Sequence, residues 1–417
     1  MGNILKNNKS FCTAAWLHSY ISPQGERQLC CISNADFGIN KPIEEVWNSD
    51  KMKNIRKKML KGELLKECSR CNDTSINPTP YRDYWNLQYE WHIDNLIKNT
   101  KEDGTYNTLP KVLDYRTNVC NFACKMCTEE FSSQIQGERI KNGLSLQFNI
   151  LNSEEREKSL KIIDDEFSND NILKNIIEIY WAGGEPLYWK THWETLDRLI
   201  QKGYSKKVKI RYSSNLSTIQ YKGNLLTDYF KHFGDIEFYC SLDGTGAIGE
   251  WIRTNLNYTN WKKNFEKLVE FRNENKHMVL RLAVAFSIPT LFDLENLYQL
   301  CMEYDVEPEF QTCYSENSSN LLSPKSFPKE MVKNMINSFL NNHKEDNHIL
   351  NKFKNYFSFL LAEEFYETNI EYEAEFIKGI EIINYLEKNR PHSILTFENI
   401  LSYNKEFLNF YKENNGR

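Results

Sequence analysis

The chain has 417 residues, a formal net charge of −5 and 40% hydrophobic residues. This length predicts two or three domains with a sizeable core, and the negative charge argues against a general nucleic-acid-binding surface. No apolar run reaches the roughly 18 residues that cross a bilayer, and the start has no signal-peptide core. We therefore expect a cytoplasmic protein with no membrane segment. Its 11 cysteines then stay reduced and serve metal or redox chemistry instead of disulfides.

The amino-terminal part of the chain contains five of these cysteines, which are Cys12, Cys30, Cys31, Cys68 and Cys71. A turn signal at Ser22–Glu26 lies between two short apolar stretches and predicts a hairpin. A helical pattern begins at Ile43 and runs towards Leu60. Four thiolates in this part suit either a structural zinc ion or an iron–sulfur cluster.

A second group of cysteines lies in the run CNFACKMC, at Cys120, Cys124 and Cys127. The run follows Lys111–Arg116, a predicted strand, and ligands gather at the carboxyl ends of parallel strands. A cubane cluster has four irons and normally takes four thiolates, so three thiolates leave one iron open. On spacing alone, a zinc site and a disulfide are the alternatives.

The next predicted strand, Ile176–Trp181, is followed by Ala-Gly-Gly-Glu-Pro. Gly183 and Gly184 have no Cβ, so the backbone there can approach a ligand closely, and Glu185 offers a carboxylate. A Gly-Gly pair by itself indicates only a turn.

Further apolar runs predict strands that alternate with helices, which is typical of parallel β/α units. The predicted strands are Lys207–Tyr212, Asp235–Ser241, Val279–Ser287 and Val306–Thr312, and the predicted helices are Trp193–Lys202, Thr227–Phe233, Trp261–Asn273 and Leu294–Tyr304.

With its three-cysteine loop and its GGEP motif, the chain resembles the radical S-adenosylmethionine (SAM) enzymes. The resemblance implies an α/β fold with a partial (β/α)6 TIM-like barrel. It also implies that the open iron chelates the amino and carboxylate groups of SAM. An electron from the cluster, supplied by a donor such as flavodoxin or ferredoxin, then cleaves the sulfonium and leaves a 5′-deoxyadenosyl radical.

The same resemblance implies a set of SAM-binding residues. These are Met126 near the adenine, Gly183, Gly184 and Glu185 at the ammonium, Asn215 at the ribose, Asp243 in a motif similar to SxDG, and Arg253 at the carboxylate. Loop packing is the alternative role for Met126, a turn or cap for Asn215 and Asp243, and a surface salt bridge for Arg253.

The amino-terminal cysteines resemble those of the SPASM/twitch auxiliary-cluster module. The matching features are Cys12, Cys30, the segment Glu45-Val46-Trp47, the basic stretch Lys51–Lys61, Cys68 and Cys71. The resemblance implies that these four cysteines hold a second [4Fe–4S] cluster. Cys30 is preferred over Cys31 because it follows the hairpin, although Leu29 stands where the family has a proline. The module precedes the barrel here, whereas it usually follows it, and structural zinc stays an alternative.

We therefore expect three parts, namely residues 1–97 with the auxiliary cluster, 108–320 with the barrel, and a helical extension at 321–417. Four segments of the extension have helical patterns: Met331–Leu340, Phe353–Phe365, Ala374–Leu386 and Ile394–Leu408. The expected function is radical abstraction of a hydrogen atom from a peptide or small-molecule substrate. The alternatives are a non-catalytic iron–sulfur redox sensor and a zinc-binding interaction protein on a degenerate barrel.

Overall fold

The computed structural model describes residues 4–6, 8–72, 80–147, 151–313, 320–362, 372–391 and 393–415. Helices alternate with strands over most of the chain, so the fold is α/β with a parallel-sheet core, as predicted. The strands are β1 (His18–Ile21), β2 (Glu26–Gln28), β3 (Asp36–Ile39), β4 (Val112–Tyr115), β5 (Glu178–Trp181), β6 (Lys209–Ser214), β7 (Gln220–Tyr221), β8 (Asn224–Leu225), β9 (Asp235–Ser241), β10 (Met278–Phe286) and β11 (Glu307–Thr312).

The helices before β9 are α1 (Ala14–Leu17), α2 (Ile43–Val46), α3 (Asp50–Lys61), α4 (Tyr81–Gln88), α5 (Ile93–Lys98), α6 (Ser133–Lys141), α7 (Ser153–Ser168), α8 (Asp170–Leu173), α9 (Lys190–Gln201) and α10 (Leu226–Phe230). Those after β9 are α11 (Gly246–Ile252), α12 (Tyr258–Glu274), α13 (Ile288–Leu291), α14 (Leu294–Tyr304), α15 (Lys329–Asn342), α16 (His348–Leu360), α17 (Tyr372–Asn389), α18 (Phe397–Leu401) and α19 (Lys405–Asn415). Within the described ranges, no helix has both the length and the apolar character needed to span a bilayer.

The chain folds into two compact units. The first comprises Met1–Thr117, Phe148–Arg211 and Tyr229–Asp235, and the second comprises Asn118–Gln147, Tyr212–Asp228 and Ile236–Arg417. Each unit therefore contains segments that are far apart in sequence.

In the first unit the strand order is β6–β5–β4–β1–β2–β3. The predicted hairpin is present as β1 and β2, which pair antiparallel, and Gly25 in its turn has a φ of +72° that favours glycine. Strand β1 also pairs in parallel with β4, with His18 opposite Val112. The segment that bears the first cysteines thus joins the same sheet as the strand that leads to Cys120.

In the second unit β10 pairs in parallel with both β9 and β11. Burial alternates along β10, where Leu280, Leu282 and Val284 are buried on one face. This alternation is the pattern of a strand with one apolar face against helices. The carboxy-terminal helix α16 packs on β11, since the ring centroid of Phe310 lies 4.9 Å from that of Phe353.

Four helical predictions differ from the structure. The helix predicted over Thr227–Phe233 ends at Phe230. The helix predicted from Ile43 towards Leu60 is two helices, because Ser49 has an extended backbone and its side chain caps α3 by accepting from Met52 N. The helix predicted over Ile394–Leu408 is also two helices, α18 and α19. The helix predicted over Phe353–Phe365 ends at Leu360, and its residues 363–365 lie outside the described residues.

His192 on α9 is fully buried in the first unit between two indole rings. Its ring lies edge-on to Trp181 and Trp193, with centroid distances of 4.9 Å in both cases. Burial disfavours the imidazolium and lowers the pKa of His192 from 6.5 to about 3. As the pH falls from about 6.5 towards 3, the unfolded chain therefore binds a proton at His192 that the folded protein does not bind.

We predict that stability falls with acidification and that His192 contributes measurably to the loss. By linkage, lowering the pH from 7 to 5 costs about 2 kcal/mol at this one residue. The variant His192→Phe keeps a flat ring against the indoles but cannot take up the proton. Urea unfolding at the two pH values should therefore show a smaller loss for the variant than for the parent. Equal losses in the two proteins would contradict this assignment.

Candidate metal centres

The loop from Asn118 to Cys127 follows β4 and contains the three-cysteine motif. The start of α6 holds one side of it, since Ser133 N donates to Asn118 O (2.7 Å) and Ser133 Oγ to Cys120 O (3.2 Å). Ser132, which caps α6, donates to Phe122 O (2.6 Å). The helix after the loop thus fixes the backbone around Cys120.

The segment at the end of α11 holds the other side of the loop. Ala123 N donates to Thr254 O (3.2 Å), and Lys125 N donates to Ile252 O (2.8 Å). The Lys125 side chain is buried, and its Nζ donates to Trp251 O (2.7 Å) and lies 4.7 Å from the Trp251 ring centroid. Burial and then Arg390 lower the pKa of Lys125 to about 8. The residue between Cys124 and Met126 is therefore an anchor that ties the loop to α11.

The three thiols of the loop are in surroundings that suit iron–sulfur ligands. Burial raises the pKa of Cys124, and it raises that of Cys127 to about 12, while Arg253 and Arg390 oppose the rise at both. Two N–H groups point at Cys120 Sγ, from Phe122 N (3.4 Å) and Asn215 Nδ2 (3.9 Å). Hydrogen bonds to sulfur are a standard feature of cluster sites. The donor set therefore fits three ligands of a cubane, whose binding must displace the thiol protons.

Asn215, the predicted ribose contact, lies directly after β6 in the second unit. Its Nδ2 donates to Asn121 Oδ1 (2.9 Å), and its Oδ1 accepts from Ser217 N (3.0 Å) and Ser217 Oγ (2.7 Å). Asn215 therefore forms a turn with Ser217 and fastens that turn to the cysteine loop.

Asp243 and Arg253, two further predicted SAM contacts, are paired with each other in the second unit. Arg253 Nε lies 2.7 Å from Asp243 Oδ2, and Arg253 Nη2 donates to Asp243 Oδ1 (3.0 Å). Asp243 Oδ1 also accepts from Ala285 N (2.8 Å), which ties the end of β9 to β10. Met126, the predicted adenine contact, is half-buried in the cysteine loop.

The GGEP motif lies in the first unit, where its glycines pair with the end of β4. Gly183 forms a parallel bridge with Thr117, and Gly184 N donates to Thr117 O (2.7 Å). Gly183 has a φ of +111°, and a Cβ there would lie 2.9 Å from Thr117 O, so no other residue fits without strain. Glu185 is buried, and its Oε1 accepts from Leu187 N (3.0 Å), which caps the turn Pro186–Tyr188.

The predicted auxiliary ligands share one small cavity of about 30 Å³ in the first unit. Its wall contains Cys12, Cys30, Cys68 and Cys71 together with Tyr81, Arg82 and Trp85 of α4. Arg82 N donates to Cys71 Sγ (3.3 Å), and the Arg82 charge opposes the rise that burial causes in the pKa of Cys12 and Cys68. The contribution of α4 was not predicted from the sequence, because no spacing connects it to the cysteines.

Cys30 and Cys31 face different neighbours. The pKa of Cys30 is raised by burial and then by the nearby thiols of Cys31, Cys12 and Cys68. Burial also raises the pKa of Cys31, but its neighbours are Arg116, Asp114, Tyr81 and Arg211, and it is absent from the cavity wall. These surroundings agree with the choice of Cys30 as the ligand, which stays a prediction.

The cysteines of neither site converge on a single point. In the part of the chain that the structure describes, no group of three or more His, Cys, Asp or Glu side chains is close enough to hold one metal ion. A cubane needs no such convergence, because each thiolate binds a different iron.

Family models match two regions of the chain. The model of the radical SAM superfamily matches residues 115–301, and the SPASM model, an iron–sulfur cluster-binding domain, matches residues 12–72. Residues 115–301 of this chain are thus a radical SAM domain. It carries an amino-terminal SPASM domain, and the two domains bind SAM, a [4Fe–4S] cluster and an auxiliary iron–sulfur cluster. The predicted recognition of a radical SAM domain together with an amino-terminal SPASM module is thus confirmed.

No curated protein sequence matches the chain. Among solved structures, SuiB of Streptococcus suis bound to S-adenosylmethionine is similar with 13% identity and a TM-score of 0.35, over 66% of this chain and 58% of SuiB. Native anSMEcpe with bound AdoMet is similar with 17% identity and a TM-score of 0.36, over 68% of this chain and 66% of that chain. The chain therefore spans less than two thirds of each of these proteins, and the likeness carries no inference about a substrate.

We predict that Cys30 and Cys31 respond differently to substitution. After anaerobic reconstitution, the parent should contain about eight irons per chain, which corresponds to two cubanes. The variant Cys30→Ala should lose about four of them because one auxiliary ligand is missing. The neighbouring variant Cys31→Ala is the matched control and should keep all of them. Loss of iron in Cys31→Ala with retention in Cys30→Ala would reverse the assignment.

Proposed function

We propose that this radical SAM enzyme cleaves SAM reductively to a 5′-deoxyadenosyl radical and abstracts a hydrogen atom from a polar substrate. The observation that carries the proposal is the backbone of the GGEP motif, bonded to Thr117 only three residues before Cys120 in the chain. The glycine backbone thus lies beside Thr117, just after β4, in a conformation that allows close approach of a ligand. When bound, a [4Fe–4S] cluster with an open iron supplies the electron that cleaves the sulfonium.

The chain's own residues supply binding and orientation in this proposal. Cys120, Cys124 and Cys127 hold the catalytic cluster. The backbone at Gly183–Glu185 receives the SAM ammonium, and Arg253 receives the carboxylate, since a guanidinium fork matches a carboxylate in a bidentate manner. Asp243 occupies the Nε–Nη2 edge of this guanidinium, so it fixes the side chain, and the contact with the SAM carboxylate would use the Nη1–Nη2 edge.

We propose that Asn215 and Met126 line the nucleoside half of the site. Asn215 is positioned by Ser217 and Asn121, so its amide is fixed instead of free to rotate. Met126 is a flexible apolar side chain that can cover a ring without demanding one geometry.

The auxiliary cluster is proposed to be bound by Cys12, Cys30, Cys68 and Cys71. Four thiolates close all four irons, so this cluster has no corner open for a substrate. Full ligation favours a role in electron transfer from the substrate radical. The proposed location is the cytoplasm, where the thiols of both sites stay reduced. The proposed electron donor is a protein such as flavodoxin or ferredoxin.

The face of β9–β11 that turns away from the helices supports a polar substrate. It carries Arg281, whose Nη1 lies 2.8 Å from Glu307, and Tyr239, whose hydroxyl donates to Glu237 (2.8 Å). These side chains are half-exposed, and covering them with an apolar molecule would cost their hydration without replacing it. A peptide or a polar small molecule suits this surface.

We predict that the anaerobically reconstituted full chain, given SAM and dithionite, releases 5′-deoxyadenosine and methionine. The variant Cys124→Ala should release none above background, because a cubane with a missing ligand cannot keep its site-differentiated form. Liquid chromatography with mass spectrometry measures the nucleoside directly and needs no knowledge of the substrate.

A second variant, Cys68→Ala, separates the two clusters in the same assay. It should keep cleavage of SAM while losing about four irons. If the parent, with a demonstrated reduced cluster, releases no 5′-deoxyadenosine, the proposed function is wrong. Zinc without sulfide in the purified protein would favour the zinc-binding alternative instead.

A further inference from the structure

The carboxy-terminal extension reaches the cysteine loop through Arg390, the residue that follows α17. Its Nη1 donates to two loop carbonyls, Cys124 O (2.9 Å) and Ala123 O (3.2 Å). Arg390 is only 6% exposed. A guanidinium is always charged, so this contact places a permanent positive charge against the backbone of a proposed cluster ligand.

The other edge of the same guanidinium is held by Glu138 on α6. Arg390 Nε donates to Glu138 Oε2 (2.6 Å) and Nη2 to Glu138 Oε1 (3.1 Å), which is a bidentate fork. Tyr385, on α17, also donates to Glu138 Oε1 (3.1 Å). Because Glu138 lies on α6, which begins shortly after the cysteine loop, Arg390 links the loop to this helix.

Helix α17 supports the loop by a second route. Glu387 Oε1 accepts from Trp251 Nε1 (2.9 Å), and Trp251 O accepts from Lys125 Nζ (2.7 Å). Phe397 of α18 stacks on the Trp251 ring at a centroid distance of 5.6 Å. The extension therefore contacts the loop directly at Cys124 and supports it indirectly at Lys125, through α11.

We propose that Arg390 is a positioning residue for the catalytic cluster, through which the carboxy-terminal extension fixes the loop at Cys124 and supplies it with a positive charge. This inference rests on the proposed function, since it assumes that Cys124 is a cluster ligand. Two consequences follow. The clamp keeps the loop in the shape that holds the cluster, and the charge stabilises the reduced, more negative state of the cluster.

The test compares three variants of the full chain after anaerobic reconstitution. Arg390→Gln removes both the charge and the fork, Arg390→Lys keeps the charge without the fork, and Lys388→Gln removes an exposed charge two residues away as the matched control. Electron paramagnetic resonance in a redox titration gives the amount and the midpoint potential of each cluster. Only the catalytic signal changes when SAM is added, so the auxiliary signal serves as an internal measure of folding.

We expect Arg390→Gln to bind the catalytic cluster roughly 10-fold more weakly, as substitution beyond the ligands themselves commonly does, and to shift its midpoint potential to more negative values. Arg390→Lys should show the weaker binding but a potential near that of the parent, and Lys388→Gln should match the parent in both. The auxiliary signal should be unchanged in all three.

The inference is overturned if Arg390→Gln matches Lys388→Gln in both cluster content and potential. If Arg390→Gln loses the auxiliary signal as well, its folding is affected, and Arg390→Lys becomes the deciding variant. A parent-like content of the catalytic cluster in Arg390→Lys would then refute the clamp. Failure of the proposed function looks different, since the parent itself would then show no SAM-sensitive signal.

Discussion

The loop from Asn118 to Cys127 contains no helix or strand, so the positions of its three thiols depend on hydrogen bonds from segments that are distant in sequence. Ser133 holds the start of the loop, Thr254 its middle, Asn215 one thiol and Arg390 the backbone at Cys124. A buried carbonyl or amide left without a partner costs about 1–3 kcal/mol, so each of these contacts also stabilises the fold. The geometry of the cysteine loop is thus a property of the second unit and not of the cysteine motif alone.

Burial of the thiols creates an electrostatic problem that the surrounding cations reduce. A thiolate is disfavoured in this interior, as the raised pKa of Cys127 shows, yet a cluster ligand must be deprotonated. Arg253 and Arg390 both favour the thiolate. Each of these arginines is itself paired with a carboxylate, Asp243 or Glu138. The paired carboxylates stabilise the two arginines in a buried place. The arginines still favour the thiolates, because the group nearest to a charge contributes most to its electrostatic energy.

Much of the fold could be predicted from the sequence, because strand-forming runs and motif spacing are local signals. The predicted strand Asp235–Ser241 and helix Leu294–Tyr304 have the predicted bounds. The breaks at Ser49 and after Leu401 were missed because a helical pattern of apolar residues continues across them. Arg390 was beyond prediction for another reason: its contact with Cys124 joins residues 266 positions apart, and no spacing rule reports a pairing at that range. In the sequence it marks only the end of a helix before a proline.

The unusual order of the chain, with the SPASM domain in front, has a structural explanation in the first unit. Parallel neighbours β1 and β4 need a long crossover connection between them. The segment that carries Cys30, Cys68 and Cys71 is that connection, and Cys12 lies just before β1. The predicted auxiliary ligands Cys30, Cys68 and Cys71 therefore lie in the link between two adjacent strands and not in an appended segment. Because β4 has β1 on one side and β5 on the other, removing the front module would expose an edge of the strand that leads to Cys120, and unpaired strand edges are unfavourable. The SPASM domain is thus also a structural part of the sheet of the first unit.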